Sequence, residues 1–353
     1  MHILHVVGAR PNLMKVAPVL SALRQYPKIK QTLIHTGQHY DTNMSDVFFQ
    51  QLEIPAPDIN MGVGSGSHAR QTADIMAGFE PIVLERKPDI VLVYGDVNST
   101  VAAALVCSKL QIKVGHVEAG LRSFDRSMPE EINRLVTDQL ADLLFTPSAD
   151  GDQNLAREGI PAGKIFRVGN VMIDSLVRLL PVAMEKKPGG LSDRYVLVTL
   201  HRPANVDDDR TLKTILGYLL DLNSQVKVVF PVHPRTRKRI ADFGIDVSQL
   251  NLLEPLPYIE FLSLQRHATA VVTDSGGIQE ETTYLNVPCL TLRSNTERPI
   301  TVTLGTNILV GNDGGTLRAE LSKILEGKPK QGKVPPLWDG RAGQRIAEVL
   351  NQL

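Results

Sequence analysis

Val271-Val272-Thr273-Asp274-Ser275-Gly276-Gly277-Ile278-Gln279-Glu280-Glu281 decides the fold class. Its apolar, β-branched opening reads as a buried strand, Ser275-Gly276-Gly277 as a turn, and a helix starts at once. A fully apolar strand followed by a short turn and a helix is the repeating unit of a parallel sheet covered by helices. The turn also suits a ligand. Backbone N–H groups at a helix start lack partners and carry partial positive charge, so they seat phosphate. Two glycines allow a pyrophosphate to approach the backbone, and Glu281, about one turn deeper, is placed to accept from ribose hydroxyls. Taken alone, Ser-Gly-Gly also fits an ordinary strand–helix joint.

A second opening of the same kind stands near the start of the chain. Ile3-Leu4-His5-Val6-Val7 reads as a strand, Gly8-Ala9-Arg10-Pro11 as a turn and Asn12–Gln25 as an amphipathic helix. Arg10 and Lys15 would sit near that helix start, where a dianion would want them. No G-x-x-x-x-G-K-[ST] occurs, so this is not a nucleoside-triphosphatase P-loop. Two α/β halves with anion-friendly turns suggest one ligand held between two domains.

The remaining strands follow the same pattern. The apolar runs predict Gln31–Thr36, Ile90–Tyr94, Val114–Val117, Leu143–Phe145 and Ile165–Val168 in the first half. In the second they predict Tyr195–Leu200, Val226–Phe230, Leu252–Leu253, Ala270–Thr273, Pro288–Leu292 and Asn307–Val310. Lys186-Lys187-Pro188-Gly189-Gly190 is the best linker, and the expected domains are 1–170 and 171–340. Length agrees, since 353 residues are long for one core and natural for two.

Lys+Arg and Asp+Glu balance at 38 each, which argues against a nucleic-acid or anionic-membrane partner. Cys107 and Cys289 lie in apolar runs and read as reduced core thiols. The first residues show no basic segment followed by an apolar stretch, and no apolar run approaches membrane-spanning length. The expectation is a soluble cytoplasmic enzyme or binding protein.

In open parallel sheets, ligands bind at the carboxyl ends of strands. Here those ends carry Arg10, Gln38 and His39, Asp96, Glu118, His201 and Arg202, His233, and Asp274 with Ser275. Each alone suits a cap or a loop hydrogen bond, but the set suits an active cleft. Asp96, Glu118 and Glu130 would be costly beside a bound anion unless they transferred protons or held sugar hydroxyls. Capping of a helix first turn competes for the pair Glu130-Glu131 after Pro129. No metal-ligand spacing is present, and His5, His35 and His116 lie inside strands as expected core groups.

Over nearly its whole length the chain resembles the non-hydrolysing UDP-N-acetylglucosamine 2-epimerases. The resemblance rests on Gly8-Ala9-Arg10-Pro11 with Lys15, Thr36-Gly37-Gln38-His39, Tyr94-Gly95-Asp96 and His116-Val117-Glu118-Ala119-Gly120-Leu121-Arg122. It continues through Pro129-Glu130-Glu131-Ile132-Asn133-Arg134, His201-Arg202, Pro231-Val232-His233, the Ser-Gly-Gly stretch and Thr296-Glu297-Arg298-Pro299. It implies a glycosyltransferase-B-type fold of two Rossmann-like domains, a UDP-sugar in the interdomain cleft, a terminal helix 341–353 returning to the first domain, and a homodimer. It further implies no cofactor. Ser275, Gly276 and Gly277 would hold the pyrophosphate with Arg10, Glu281 the ribose, and Arg298 would lie near the diphosphate. Lys15, Arg134, Arg202 and His233 would line the substrate site. Asp96, Glu118 and Glu130 would share the acid/base work, with His201 beside the leaving diphosphate. The implied reaction is anti elimination of UDP to a 2-acetamidoglucal and re-addition with protonation from the opposite face.

Departures from the family pattern are informative. Ala9 and Asn12 stand where Thr and Glu are usual, and Pro203-Ala204-Asn205 follows His201-Arg202. The stretch Thr42 to Phe49, with Arg235 and Arg237, resembles a subgroup that includes epimerases of UDP-2,3-diacetamido-2,3-dideoxyglucuronate. A glycosyltransferase of the same fold and a hydrolysing epimerase stay open as alternatives. The resemblance also implies an activating second UDP-N-acetylglucosamine near Gln38, Arg70, Glu130, Arg202 and His233. Asp41, where glutamine is usual, would repel a diphosphate, so weak activation is expected.

Overall fold

The structure is a computed structural model of the chain, and residues 1–38, 51–186 and 194–353 are described. His39, Asp41, the stretch 42–49 and most of the linker fall outside the described residues.

The chain divides into two compact units, one formed by Met1–Arg178 with Pro336–Leu353 and the other by Leu179–Pro335. In the first, the strands are β1 (His2–Val7), β2 (Lys30–His35), β3 (Ile59–Asn60), β4 (Ile90–Tyr94), β5 (Lys113–Val117), β6 (Leu143–Thr146) and β7 (Ile165–Arg167). They form one parallel sheet in the order β3-β2-β1-β4-β5-β6-β7. The second unit contains β8 (Tyr195–Thr199), β9 (Lys227–Pro231), β10 (Asn251–Leu253), β11 (Ala270–Thr273), β12 (Cys289–Thr291) and β13 (Asn307–Leu309). Their parallel order, β10-β9-β8-β11-β12-β13, repeats the same winding. Both are Rossmann-like doubly wound sheets.

Composition explains the architecture. β4 is Ile-Val-Leu-Val-Tyr with every residue buried, because helices cover both faces of a parallel sheet. The expected strands agree with those observed to within about a residue at each end, apart from β3, which is two residues on an edge and leaves no pattern to read. Cys107 and Cys289 are buried and unpaired, and burial pushes their thiols up to about 12 and about 11. None of the described helices is long and apolar enough to cross a membrane.

The last helix, Ala342–Asn351, packs on the helix Arg10–Leu23 of the first unit. Contact is so close at Gly343 that an added Cβ would lie 2.6 Å from the Pro18 carbonyl oxygen. Asp174 accepts from the unpaired N–H groups of Ala342 and Gly343 at 3.0 and 2.7 Å. Asn12 takes over a structural task. Its side-chain oxygen accepts from Gly8 and Ala9 N–H, and its amide donates to the Tyr94 carbonyl, joining the ends of β1 and β4.

Candidate active site

In each sheet the strand order reverses once, between β1 and β4 and between β8 and β11, and the crevice beyond those strand ends is where such folds bind ligands. The candidate residues gather at these two places.

At the β8/β11 reversal, Asp274 is fully buried at the end of β11. It accepts from the backbone N–H of Arg202 at 2.9 Å, from Asn205 Nδ2 at 3.1 Å and from His201 Nδ1 at 3.0 Å. Burial opposes its ionisation, but the His201, Arg202 and Asn205 hydrogen bonds outweigh it and hold the carboxyl below its ordinary value. His201 is thereby oriented, and its ring lies against His233 with centroids 5.7 Å apart.

Ser275 caps the helix Gly276–Leu285 through its backbone, leaving its hydroxyl out of the cap. Neither Gly276 nor Gly277 has a left-handed backbone. Gly276 is needed instead for space, since a Cβ there would sit 2.4 Å from Arg298 Nη1. Arg298 pairs with Glu297 and, at 2.9 Å, with Glu280. Glu297 also meets Arg293 at 2.8 Å and Arg202 at 3.6 Å. Burial disfavours the Glu297 charge, but these arginines overcome it and hold its carboxyl well below the usual range. Arg202, Arg293 and Arg298 thus gather, with Glu280, Glu297 and Asp274 as counter-charges, beside a helix N-terminus whose N–H groups suit phosphate. Deeper along the helix, Glu281 is buried and accepts from the Tyr258 hydroxyl at 2.8 Å. Burial raises its carboxyl to about 7.

At the β1/β4 reversal, Lys15 forms a buried ion pair with Glu118. Glu118 follows β5 with φ +76°, a left-handed conformation uncommon outside glycine. Asp96 accepts from Arg134 Nε at 3.0 Å. Asp96 and Glu130 line one hollow of about 260 Å³ together with Gln38, Asn98 and Asn133. The glutamate pair splits its roles. Glu131 is buried, accepts from Ser123 and Phe124 N–H at 2.9 Å each and pairs with Arg134, whereas half-buried Glu130 faces the hollow.

Other candidates are placed as follows. Arg10 opens the helix after β1, half-buried. Gln38 is buried, its side-chain oxygen accepting from Ser99 N–H at 3.1 Å and from the Ser99 hydroxyl at 2.8 Å. Arg70 is exposed and bonds Asp74 on its own helix at 2.8 Å. His233 is exposed and caps the helix Pro234–Asp242. A larger hollow of about 480 Å³ lies over Leu135, Val136 and Leu140, but it is shallow and apolar and lacks converging acids, so the smaller one is the better candidate. Among the described residues no cluster of three or more His, Cys, Asp or Glu could hold a metal ion. Tyr258 and Asn205 escaped the sequence reading because each is far along the chain from the group it serves, and Arg293, four residues from Glu297, because it lies in a loop with no period to read.

Known proteins match along the whole chain. The model of the UDP-N-acetylglucosamine 2-epimerase family matches residues 21–351. A UDP-N-acetylglucosamine 2-epimerase homolog of Methanococcus maripaludis is 45% identical, with 100% of both chains covered. The UDP-2,3-diacetamido-2,3-dideoxy-D-glucuronate 2-epimerase of Pseudomonas aeruginosa is 41% identical, again with 100% of both covered. The crystal structure of Methanocaldococcus jannaschii UDP-GlcNAc 2-epimerase in complex with UDP-GlcNAc and UDP superimposes with a TM-score of 0.93 at 42% identity, covering 100% of both chains. The glycosyltransferase-B-type fold and the isomerase activity expected from the sequence are thus shown, and the chain belongs to the UDP-N-acetylglucosamine 2-epimerase family.

Proposed function

We propose that the enzyme interconverts UDP-N-acetylglucosamine and UDP-N-acetylmannosamine without metal or nicotinamide. The observation that carries this reading is a division of labour. The second unit offers a positive helix N-terminus with Arg202 and Arg298 beside it, and the first offers Asp96 and Glu118 at neighbouring strand ends and Glu130 in a helix first turn. Ser275, Gly276 and Gly277, aided by Arg10, take the diphosphate, and Glu281 the ribose. A carboxylate of the first unit removes H2, the C1–O bond breaks, and UDP leaves with the bonding electrons, its charge met by the arginines and by His201. UDP then returns to C1 of the 2-acetamidoglucal while a second acid protonates C2 from the opposite face. H2 is hardly acidic, so both a positioned base and a stabilised leaving group are needed. One carboxylate cannot serve both faces. That requirement favours an epimerase over a glycosyltransferase.

A uronate substrate would need a cation for its carboxylate. Arg235 and Arg237 belong to the stretch that resembles the uronate subgroup, but Arg235 pairs with Asp207 and Arg237 with Glu254 at 2.9 Å. That supports the N-acetylhexosamine pair as substrate. The same reading carries a homodimer acting in the cytoplasm, and sedimentation of the purified chain tests the dimer. The reaction itself is tested by proton NMR in deuterated water. Deuterium should enter C2 alone as the two UDP-sugars equilibrate, and protium kept at C2 through turnover would refute the elimination.

A further inference from the structure

Between the turn that carries Asp96 and the turn that carries Glu118 lies a fully buried imidazole, His116 of β5, to which the elimination gives no task. Its Nε2 is 2.8 Å from the Gly95 carbonyl oxygen and its Nδ1 is 2.6 Å from Asp138 Oδ1. A carbonyl can only accept. Asp138 is fully buried, and its Oδ2 takes an ion pair from Arg122 Nη1 at 2.7 Å and the Gly120 N–H at 3.1 Å, the surroundings of a carboxylate, which can likewise only accept. Both ring nitrogens therefore face acceptors, and the ring satisfies them only by donating from both, as an imidazolium.

An isolated cation in that position would be prohibitively costly. Here charges alternate along a chain. His116 meets Asp138, Asp138 meets Arg122 Nη1 at 2.7 Å, and Arg122 bonds both oxygens of Glu158 at 2.8 and 2.6 Å. Two cations face two anions, so the group as a whole is neutral.

The groups held by this chain are the turns of the active site. Gly95 immediately precedes Asp96, and a Cβ on it would sit 2.4 Å from Lys15 Nζ and 3.1 Å from Glu118 Oε2. Gly95 thus carries Asp96 and packs directly against the Lys15–Glu118 pair. Asp138 also accepts from Gly120 N–H at 3.1 Å, two residues beyond the left-handed Glu118. A non-glycine residue keeps such a backbone only where its surroundings over-determine it.

We propose that His116 is a positioning residue: donating from both nitrogens, it ties the Tyr94-Gly95-Asp96 turn and, through Asp138, the Glu118-Ala119-Gly120 turn into one rigid frame. This rests on the reading of Asp96 and Glu118 as acid/base groups. His116→Gln can donate to only one of the two acceptors and leaves the Asp138 charge unbalanced. It should lower kcat roughly 10- to 100-fold, the scale of an ångström-level misplacement. KM for the UDP-sugar should stay within about twofold, since the nucleotide is held by the other unit. The double variant His116→Gln/Asp138→Asn restores a neutral chain in which Gln donates to Gly95 and accepts from the new amide, so it should recover most of the loss. An unchanged kcat in His116→Gln, or a loss undiminished in the double variant, overturns the proposal. A neutron crystal structure of the unaltered enzyme tests it even where the variants do not fold. Deuterium on both ring nitrogens is expected, and a bare nitrogen refutes the inference. Asp96→Asn and Glu118→Gln serve as controls, because full activity in both would instead sink the acid/base reading.

Discussion

Lowering the pH from 8 to 6 is expected to weaken nucleotide-sugar binding roughly tenfold through one carboxyl group. Burial raises Glu281 to about 7, opposed by the hydrogen bond from the Tyr258 hydroxyl. Such a group is about nine-tenths ionised at pH 8 and about one-tenth ionised at pH 6. The carboxylate can accept from ribose hydroxyls while still accepting from Tyr258, but the acid form has a proton where one acceptor site was. Affinity then follows the ionised fraction, a change of about 1.4 kcal/mol over the interval. The direction is opposite to the effect on folding. Because the folded value lies above the ordinary 4.5, the stability contributed by this group is full below about 4.5 and is lost as the pH rises through about 7. Ligand binding gains over that same rise. Calorimetric titration with a nucleotide sugar measures the effect cleanly, since UDP itself carries a terminal phosphate that titrates in this window. Glu281→Gln should bind more weakly and lose the pH dependence. A wild-type affinity flat from pH 6 to 8, or a slope that persists in the Gln variant, would refute the placement of the ribose at Glu281.

Two further outcomes are expected. In Gly276→Ala the new methyl falls 2.4 Å from Arg298 Nη1, so the arginine must swing away. UDP affinity should fall on the order of tenfold, the loss of a charge-assisted hydrogen bond, and Tm should fall too, because buried Glu297 and Glu280 lose a partner; unaltered affinity in a binding titration would remove Arg298 from the diphosphate site. Asp174, raised to about 6 by burial despite the Gly343 and Ala342 N–H bonds, stabilises the fold fully below about pH 4 and progressively less as the pH rises through 6. Across that span the group costs about 3 kcal/mol, so the Tm of wild type relative to Asp174→Asn should drop between pH 4.5 and 6.5, and a constant difference would contradict it.

Much of this enzyme is legible in its sequence because parallel α/β folds write themselves locally. Continuous apolar runs such as Ile90–Tyr94 mark strands buried on both faces, and the polar residues that follow them mark the edge where ligands bind. Twelve strands, the Ser-Gly-Gly turn that opens a helix and the placement of Asp96 and Glu118 at strand ends all follow from that rule. The edge strand Ile59–Asn60 does not, because two residues carry no period.

What needed the tertiary structure was every decision between chemically equal groups. Glu130 and Glu131 are neighbours of one type, and only packing turns one to the hollow and the other to the Ser123-Phe124 backbone. Arg235 and Arg237 stand in a stretch that resembles the uronate epimerases, and only the fold shows Asp207 and Glu254 meeting them. His116 reads as a core histidine, and only the convergence of Gly95, from another strand, with Asp138, from a helix, makes it a double donor. Local periodicity specifies the elements, whereas the partner of a buried polar group is set by where distant segments meet, and no spacing along the chain records that.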